Sequence, residues 1–282
     1  MSTDPQQIIA GLTSIASLPA VAMKFSDAIK HPLTSNQDLE NIIAEDSALA
    51  TRVLKIANSA MYSFPSQIDS IAKALSIIGQ NQVKDIVFAC SVMSSFQNVP
   101  YGTLSMEQFW RHSLAVGVAA RIIATLRREE NVERYFLGGL LHDLGRLILL
   151  MERANMMGEV FENLGVSGGY LYKEEKRVFG FDHSLIGGLL IESWKFPASL
   201  VNAIQFHHNP SSAGEYIKSA SIVHIADIIV HALRLGESGE ENVPVLDENA
   251  WDFVGIDIDD VDYIFDQLDV QYTESVKYML GE

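Results

Sequence analysis

The sequence predicts an all-α fold, a bundle of many helices, and two observations carry that prediction. Nearly every segment repeats its apolar residues at three and four positions, as one face of a helix does, and strand-like alternation is scarce. The composition is that of a soluble globular protein, since 48% of the 282 residues are hydrophobic and 20% are charged. A chain of this length can bury a large core.

The front of the chain predicts a helical part over residues 1–100. Its apolar residues repeat with helical spacing in four stretches, and the loop NVPYG, residues 98–102, ends the pattern. The predicted helices cover residues 36–44, 47–58, 68–78 and 83–96.

Beyond that loop, residues 101–236 predict a second helical part, and residues 237–282 predict an acidic extension. Asp182 is a suitable N-cap and Pro197 suits a first helical turn. The run ESGEEN, residues 237–242, predicts a solvated loop, and the acidic tail predicts two short helices. The other predicted helices are 105–128, 132–151, one after GVSGGY, 183–194, one from Pro197 to Asn209, and 213–235.

The stretch LGGLLHDLGRLILL, Leu137 to Leu150, is apolar on nearly every side except at its middle. On a continuous helix, His142 and Arg146 share the side opposite the leucines, and Asp143 lies on its flank. An ionised carboxylate buried without a partner costs several kcal/mol, roughly. Asp143 therefore needs either a protein cation or a metal ion.

Five further polar groups interrupt apolar helices and are candidate partners. A single buried group of this kind is more often a core residue hydrogen-bonded within the protein than a metal ligand. Arg146 could also simply neutralise Asp143. Together, imidazoles and carboxylates form a mixed nitrogen and oxygen site suited to Fe, Mn, Ni or Zn, and less well to Mg. The five groups are His112, His183, His207, His208 and Asp227.

Motifs typical of other catalytic and cofactor-binding sites are scarce in this sequence. HExxH and GxGxxG are absent, GxSxG occurs only as GVSGG in the glycine-marked turn at residues 165–169, and the single cysteine, Cys90, predicts a small buried residue rather than a reactive thiol. Metal-assisted hydrolysis is the reaction class for which the sequence carries residues.

Charge and hydropathy predict a cytoplasmic protein that binds neither nucleic acid directly nor a membrane. The net charge is −16, and no basic patch offsets it. The first residues do not resemble a secretory signal, and no run of eighteen uncharged apolar residues occurs.

Several segments, in this order, resemble the HD superfamily of metal-dependent phosphohydrolases, and more closely its HDOD branch. The resemblance spans roughly residues 12 to 235 and implies an HD-like helical bundle with an N-terminal helical subdomain. The segments are LPAVAMKFSDAI, EDSALATRVLKIANSAMYS, IDSIAKALSIIG, FWRHS, LLHDLGR, FDHSLIG, IQFHHNP and HIADII.

The resemblance implies roles for particular residues. The HD site itself falls on His112, His142, Asp143 and Asp227, and the additional histidines of binuclear HD-GYP relatives fall on His183, His207 and His208. One or two divalent ions per chain are therefore expected.

Three departures from the related motifs qualify that expectation. Arg146 stands where a lysine usually follows the HD pair, and Gln108 stands where some trinuclear sites have glutamate. No Gly-Tyr-Pro triplet follows His208, which argues against hydrolysis of cyclic di-GMP.

Three hypotheses remain open at this point. The first is a regulatory module with a signalling protein as partner, since HDOD proteins resemble degenerate HD domains that act in signalling. The second is an active phosphohydrolase for a phosphorylated small molecule or nucleotide, with Asp143 and Arg146 as catalytic residues. The third is a hydrogen-bonded network without metal. His224 and His231 share a face with Asp227, and either could substitute for a ligand or support one.

Overall fold

The computed structural model describes residues 4–12, 20–62, 64, 66–96, 99 and 105–280. Within these residues it contains α-helices and two short 3-10 helices and no β-strand, which confirms the predicted all-α class. The front helices are α1 (Pro5–Gly11), α2 (Ala20–Ile29), α3 (Asn36–Ala44), α4 (Ser47–Ala57), α5 (Ile71–Ile77) and α6 (Gln80–Ser95).

The remaining helices follow from Met106 onward. The 3-10 helices are Pro210–Ser212 and Gly214–Tyr216. The α-helices are α7 (Met106–Leu126), α8 (Val132–Leu141), α9 (Leu144–Glu152), α10 (Ala154–Ser167), α11 (Leu171–Phe179), α12 (His183–Ser193), α13 (Ala198–Gln205), α14 (Ile217–Leu233), α15 (Glu248–Val254) and α16 (Ile258–Met279).

Polar caps start the front helices where the sequence supplies short oxygen-bearing side chains. Ser35 and Asp38 form a capping box at α3, Asp46 caps α4, and Ser70 caps α5. Helix α6 packs against α2 and α4 of the front part and against α8 of the back part. The predicted boundary loop NVPYG lies outside the described residues except for Val99, so the division into parts stays a prediction.

Helix α7 is the centre of the bundle and packs against α8, α14 and α16. Its side chains are buried from Ser113 to Ala124, because close neighbours surround it on several sides. Arg127, at its C-terminal end, donates to Asp260 at 2.6 Å and so ties the start of α16 to it. The acidic C-terminal segment is therefore attached to the central helix.

The helix predicted over residues 132–151 is interrupted at the HD pair. Helix α8 ends at Leu141 and α9 begins at Leu144, with Asp143 between them at φ −95° and ψ 2°. The Asp143 carboxylate binds neighbouring side chains instead of capping α9. Gly145 then allows α9 to approach α12, since a Cβ atom there would overlap the His183 carbonyl. The turn directs His142 and Asp143 toward the interior together.

Two other expectations about the back of the chain were wrong. The acidic tail forms one long helix, α16, because Asp257 and Asp260 form a capping box and the buried face continues through the polar middle of the helix at Gln271. The stretch from Ala213 begins with a 3-10 helix, and α14 starts only at Ile217.

The segment of residues 235–242, which we call the strap, is also not the solvated loop that the sequence predicted. Ser238 is 1% exposed, and the Glu237 amide donates to the Gln108 carbonyl at 3.1 Å. Gly236 has φ +77°, and a Cβ atom there would overlap the backbone nitrogen of His112. The strap therefore lies directly on α7 beside His112.

One stretch of the described residues, Gly214–Leu233, is long and apolar enough to cross a membrane by length and composition alone. More than half of its most apolar window, 56%, is buried inside the protein. It packs against α7, α13 and α15, and it carries Asp227 inward. We therefore interpret it as a core helix.

Candidate metal centre

The seven predicted ligands come together in one cluster, the HD cluster, although they come from distant parts of the chain. They lie on α7, on the turn between α8 and α9, at the start of α12, on the turn after α13, and on α14. Six of them are at most 3% exposed, and His208 is half-buried. The members are His112, His142, Asp143, His183, His207, His208 and Asp227.

One side of the HD cluster is arranged around the carboxylate of Asp227. Its Oδ1 atom lies 3.2 Å from Nε2 of His112, 2.9 Å from Nδ1 of His231 and 3.6 Å from Nε2 of His142. Nε2 of His142 also lies 3.4 Å from Oδ2 of Asp143. Three imidazoles therefore surround one carboxylate oxygen, and one of them links it to the second carboxylate.

The other side is arranged around His183. Its Nε2 atom lies 2.8 Å from Oδ1 of Asp143 and 3.1 Å from Nε2 of His208. The rings of His207 and His208 are 3.9 Å apart between centroids. Ligand-type atoms lie within 4.8 Å of one another in three groups: His112, His142 and Asp143; His112, Asp227 and His231; and His183, His207 and His208.

Backbone carbonyls fix the orientation of two of the rings. Nδ1 of His142 lies 2.6 Å from the Gly139 carbonyl, and Nδ1 of His207 lies 2.7 Å from the Ile204 carbonyl. Because a carbonyl oxygen only accepts, each Nδ1 carries a proton, and in the neutral ring each Nε2 keeps its lone pair. These lone pairs face the cluster, as they do in metal-binding histidines.

Several buried atoms of the HD cluster make no hydrogen bond of normal geometry. They are Nε2 of His112, His142 and His207, and Oδ1 of Asp143 and Asp227. Buried polar atoms without partners are costly, and these five converge from separate helices. Nitrogen and oxygen donors in this combination fit a divalent transition metal ion. The residues present therefore fit the group that the HD resemblance implies.

Burial and neighbouring charges set the protonation states that such a site needs. Burial and neighbouring histidines lower the pKa of His207 to about 3, and burial lowers that of His112 to about 4, so both stay neutral at pH 7. Burial acts to raise the pKa of Asp143, but Arg146 and His142 hold it well below its usual value. Neutral imidazoles and ionised carboxylates are the forms that bind metals.

Two histidines of the HD cluster, His142 and His183, have raised pKa values. Burial acts to lower the pKa of His142, but the Asp143 and Asp227 carboxylates outweigh burial and raise it. His183 behaves in the same way. Burial acts to lower its pKa, but the Glu175 and Asp143 carboxylates outweigh burial and raise it to about 9. Glu175 accepts from Nδ1 of His183 at 2.6 Å and from its backbone amide at 2.8 Å. An ion bound to Nε2 of His183 would take the place of the proton on that nitrogen.

Arg146 lies against the protein rather than open water. Its Nη1 atom donates to Oδ2 of Asp143 at 2.7 Å and to the Ser238 carbonyl of the strap at 2.5 Å. Its Nε atom lies 3.7 Å from Oε1 of Glu175. Its guanidinium group is therefore part of the closure of the cluster and neutralises Asp143, which is one of the two roles that the sequence left open.

Two residues that support the HD cluster were not assigned to it from the sequence: Glu175 was not predicted at all, and the role of His231 was left open. Glu175 was missed, although it stands one helical turn from Leu171 and from Phe179 on the buried face of α11. Of the two undecided histidines, His231 reaches Asp227, whereas both ring nitrogens of His224 are used, by the His207 carbonyl and the Asp247 amide. The assignment of metal ligands itself stays a prediction.

Comparison with known proteins gives a family for most of the chain. The HDOD domain model matches residues 15–210. An uncharacterised protein of Treponema pallidum (strain Nichols) is 24% identical over 235 residues, which are 83% of this chain and 45% of that protein. The chain therefore spans about half the length of the curated relative it matches.

Three solved structures share the fold at 21% to 23% identity. An HDOD domain protein of unknown function from Geobacter sulfurreducens has a TM-score of 0.78, with 97% of this chain and 95% of that chain covered. A Shewanella amazonensis SB2B protein named "Putative phosphohydrolase" has a TM-score of 0.77, with 98% and 97% covered. A Marinobacter aquaeolei VT8 protein named "Putative signal transduction protein" has a TM-score of 0.70, with 94% and 60% covered.

Proposed function

The chain belongs to the HDOD family, and from that premise we propose that it is a regulatory protein of signal transduction that retains an HD-type metal site. One observation carries the proposal: the HD cluster is complete, yet it is closed from solvent. Six of its seven members are at most 3% exposed, and Arg146 is bound to both Asp143 and the strap. A site of this kind suits an ion that holds a conformation.

The residues that would hold the ions divide into two sets. His112, His142, Asp143 and Asp227 would hold one ion, of Fe, Mn, Ni or Zn before Mg. His183, His207 and His208 would contribute to a second. A divalent ion in such a site lowers the pKa of a coordinated water and neutralises phosphate charge. Glu175 would orient His183, and the Gly139 and Ile204 carbonyls would orient His142 and His207.

An active phosphohydrolase is the second candidate, and one cavity favours it. His208 lines a cavity of about 300 Å³ beside Lys176 and Ser184. Tyr172 stacks on the His208 ring, with 4.2 Å between the ring centroids. A phosphorylated small molecule or nucleotide that entered there would reach the His183 side of the HD cluster. Asp143 and Arg146 would then be the catalytic residues.

The partner and the location of the protein remain part of the proposal. We expect a signalling protein as partner and a cytoplasmic location, with no direct contact to nucleic acid or membrane. The net charge of −16 supports the exclusion of phosphate backbones and anionic lipid surfaces.

Elemental analysis of protein purified without chelators tests the metal site. We expect one or two equivalents of transition metal in the wild type and less than about a tenth of that in His142→Ala/Asp143→Ala, because both removed groups are ligands. His31→Ala, at an exposed position of the front part, is the matched control and keeps the wild-type content. A wild type without metal would contradict both candidates.

A substrate screen on metal-loaded protein separates the two candidates. Phosphomonoesters, nucleotides and cyclic dinucleotides are incubated with the wild type and with Asp143→Ala. Loaded but inert wild-type protein supports the regulator. Turnover that Asp143→Ala abolishes supports the phosphohydrolase and contradicts the regulator.

A further inference from the structure

A groove between the front part and the back part of the fold carries chemistry that the HD cluster does not use. It lies where α2 and α6 meet the turn between α12 and α13, and its volume is about 450 Å³. None of its lining residues belongs to the HD cluster. We call it the lysine groove and define it by Lys30, Lys84, Phe88, Trp194, Lys195 and Phe196.

Aromatic side chains form the apolar surface of the lysine groove. Phe88 is 3% exposed and packs edge-to-face on Phe196, with 4.6 Å between the ring centroids. Trp194 is half-buried at the end of α12, next to Phe196 along the chain. Stable packing of this kind offers flat surfaces against which a ring-shaped ligand can lie.

The charge of the lysine groove is opposite to that of the protein. Three lysines line it against one carboxylate, Asp27, which pairs with Lys30 at 2.8 Å. Lys84 and Lys195 make no ion pair with any residue that the structure describes. Lys195 acts on Asp27 and Lys84 on Asp85 only at longer range. Two cations without a direct ion pair in a chain of net charge −16 favour an anion at this place.

Lys195 is held in an uncommon backbone conformation. Its φ is +60°, in the left-handed region that few residues other than glycine and asparagine adopt. The turn thereby presents Trp194, Lys195 and Phe196 in succession to the lysine groove. An aromatic face and a cation are thus placed side by side.

We propose that the lysine groove binds a nucleotide, with the base against Trp194 and Phe196 and the phosphate between Lys84 and Lys195. The volume lies within the range of small-molecule sites, about 300–1,000 Å³. Inorganic phosphate alone would leave the aromatic surfaces unused. A nucleotide uses both features, because its base can stack on the aromatic rings and its phosphate can bind the lysines.

Isothermal titration calorimetry with AMP and GMP on the full chain tests the proposal. We expect saturable binding of one nucleotide per chain, and binding about tenfold or more weaker in Lys84→Gln/Lys195→Asn, since charge-assisted contacts to phosphate are lost. Asparagine at position 195 tolerates the left-handed backbone, so the turn is kept. Lys55→Gln, at an exposed lysine of α4 outside the groove, is the control and retains wild-type affinity.

A second variant tests the aromatic contact independently of charge. Trp194→Leu is expected to weaken AMP binding about tenfold and to leave the weaker binding of inorganic phosphate unchanged, because only the base stacks. Thermal unfolding of each variant confirms that it is folded before titration. Equal affinity for phosphate and AMP would overturn the role of the aromatic surface.

Three results would overturn the site itself. The first is the absence of saturable nucleotide binding at concentrations up to about 1 mM. The second is a loss of nucleotide affinity in Lys55→Gln equal to that in the groove variant. The third is a loss of nucleotide affinity in His142→Ala/Asp143→Ala with no loss in Lys84→Gln/Lys195→Asn. The last result would place the nucleotide at the HD cluster. Failure of the lysine groove leaves the metal analysis unaffected, because the two sites share no residue.

Discussion

The two ends of α8 each carry a buried polar cluster, and the clusters are built differently. At the C-terminal end, His142 and Asp143 belong to the HD cluster. At the N-terminal end, Asn131 and Glu133 join a second group, which we call the arginine cluster. It consists of Tyr62, Asp85, Arg121, Asn131 and Glu133.

The arginine cluster pairs its charges within the protein. Nη2 of Arg121 lies 3.4 Å from Oε1 of Glu133, and its guanidinium carbon lies 4.7 Å from the centre of the Tyr62 ring. Asn131 donates to Asp85 at 3.3 Å. No imidazole takes part, and none of the possible metal-binding groups among the described residues lies here.

The pKa values of Asp85 in the arginine cluster and of Asp227 in the HD cluster are shifted in opposite directions. Burial raises the pKa of Asp85, and the nearby cations Lys84 and Arg134 offset this only in part. In the HD cluster, burial acts in the same direction on Asp227, but the contacts with His231, His112 and His142 hold its pKa well below the usual value. Buried charge alone therefore does not identify a metal site. The distinguishing feature is that several imidazole nitrogens converge on an ionised carboxylate.

The largest expected effect is a difference in metal affinity between variants that each lose one carboxylate, one variant from each cluster. Asp227→Asn is expected to lower the affinity for a transition metal ion by at least about a hundredfold, because a charged ligand is lost. Glu133→Gln, of matched size and burial, should leave that affinity unchanged. Competition with a chromogenic chelator measures both constants. Equal losses in the two variants would mean that the clusters do not differ in the way described.

Removing one charge from the arginine cluster should lower stability. Arg121→Met leaves Glu133 buried without its cation and is expected to cost about 3 kcal/mol in the free energy of unfolding. Arg121→Met/Glu133→Leu removes both charges and should recover most of that loss. Urea unfolding followed by circular dichroism measures each value. A double variant no more stable than the single one would contradict the pairing of these two residues.

The smallest expected effect is a change in the pH dependence of stability. Because the folded-state pKa of Asp85 lies above the unfolded value, the folded protein keeps a proton that the unfolded chain releases. Stability therefore falls as pH rises from near 3.8, the ordinary pKa of an aspartate, through the folded pKa. Asp85→Asn removes this fall, so its stability relative to wild type should increase from pH 4 to pH 7. A constant difference across that range in urea unfolding would contradict the shift.

The sequence predicted the members of the HD cluster because each interrupts an otherwise apolar helix or turn. His112, His142 and Asp227 are conspicuous for that reason, and their helical periodicity gave the correct class of fold. The break after Leu141 could not be predicted, since α9 continues the apolar pattern in phase with a single helix. Periodicity records which residues are buried and is insensitive to a turn of two residues between apolar segments.

Contacts made by backbone atoms also could not be predicted from the sequence. The Ser238 carbonyl binds Arg146 although ESGEEN is polar throughout, and a polar composition cannot tell which main-chain groups turn inward. Glu175 was hidden for a related reason, because LYKEEKRVF contains two adjacent glutamates, of which only Glu175 is fully buried. Tertiary packing decides between them.

The distances in sequence between the members of the HD cluster have a consequence for folding. His112 and Asp227 come together only when α7 and α14 have docked, so the unfolded chain offers no preformed site. An ion that binds the docked arrangement alone shifts the folding equilibrium by mass action. The melting temperature would then rise with the free concentration of the metal, and the folded population of the whole chain would follow the metal supply of the cell.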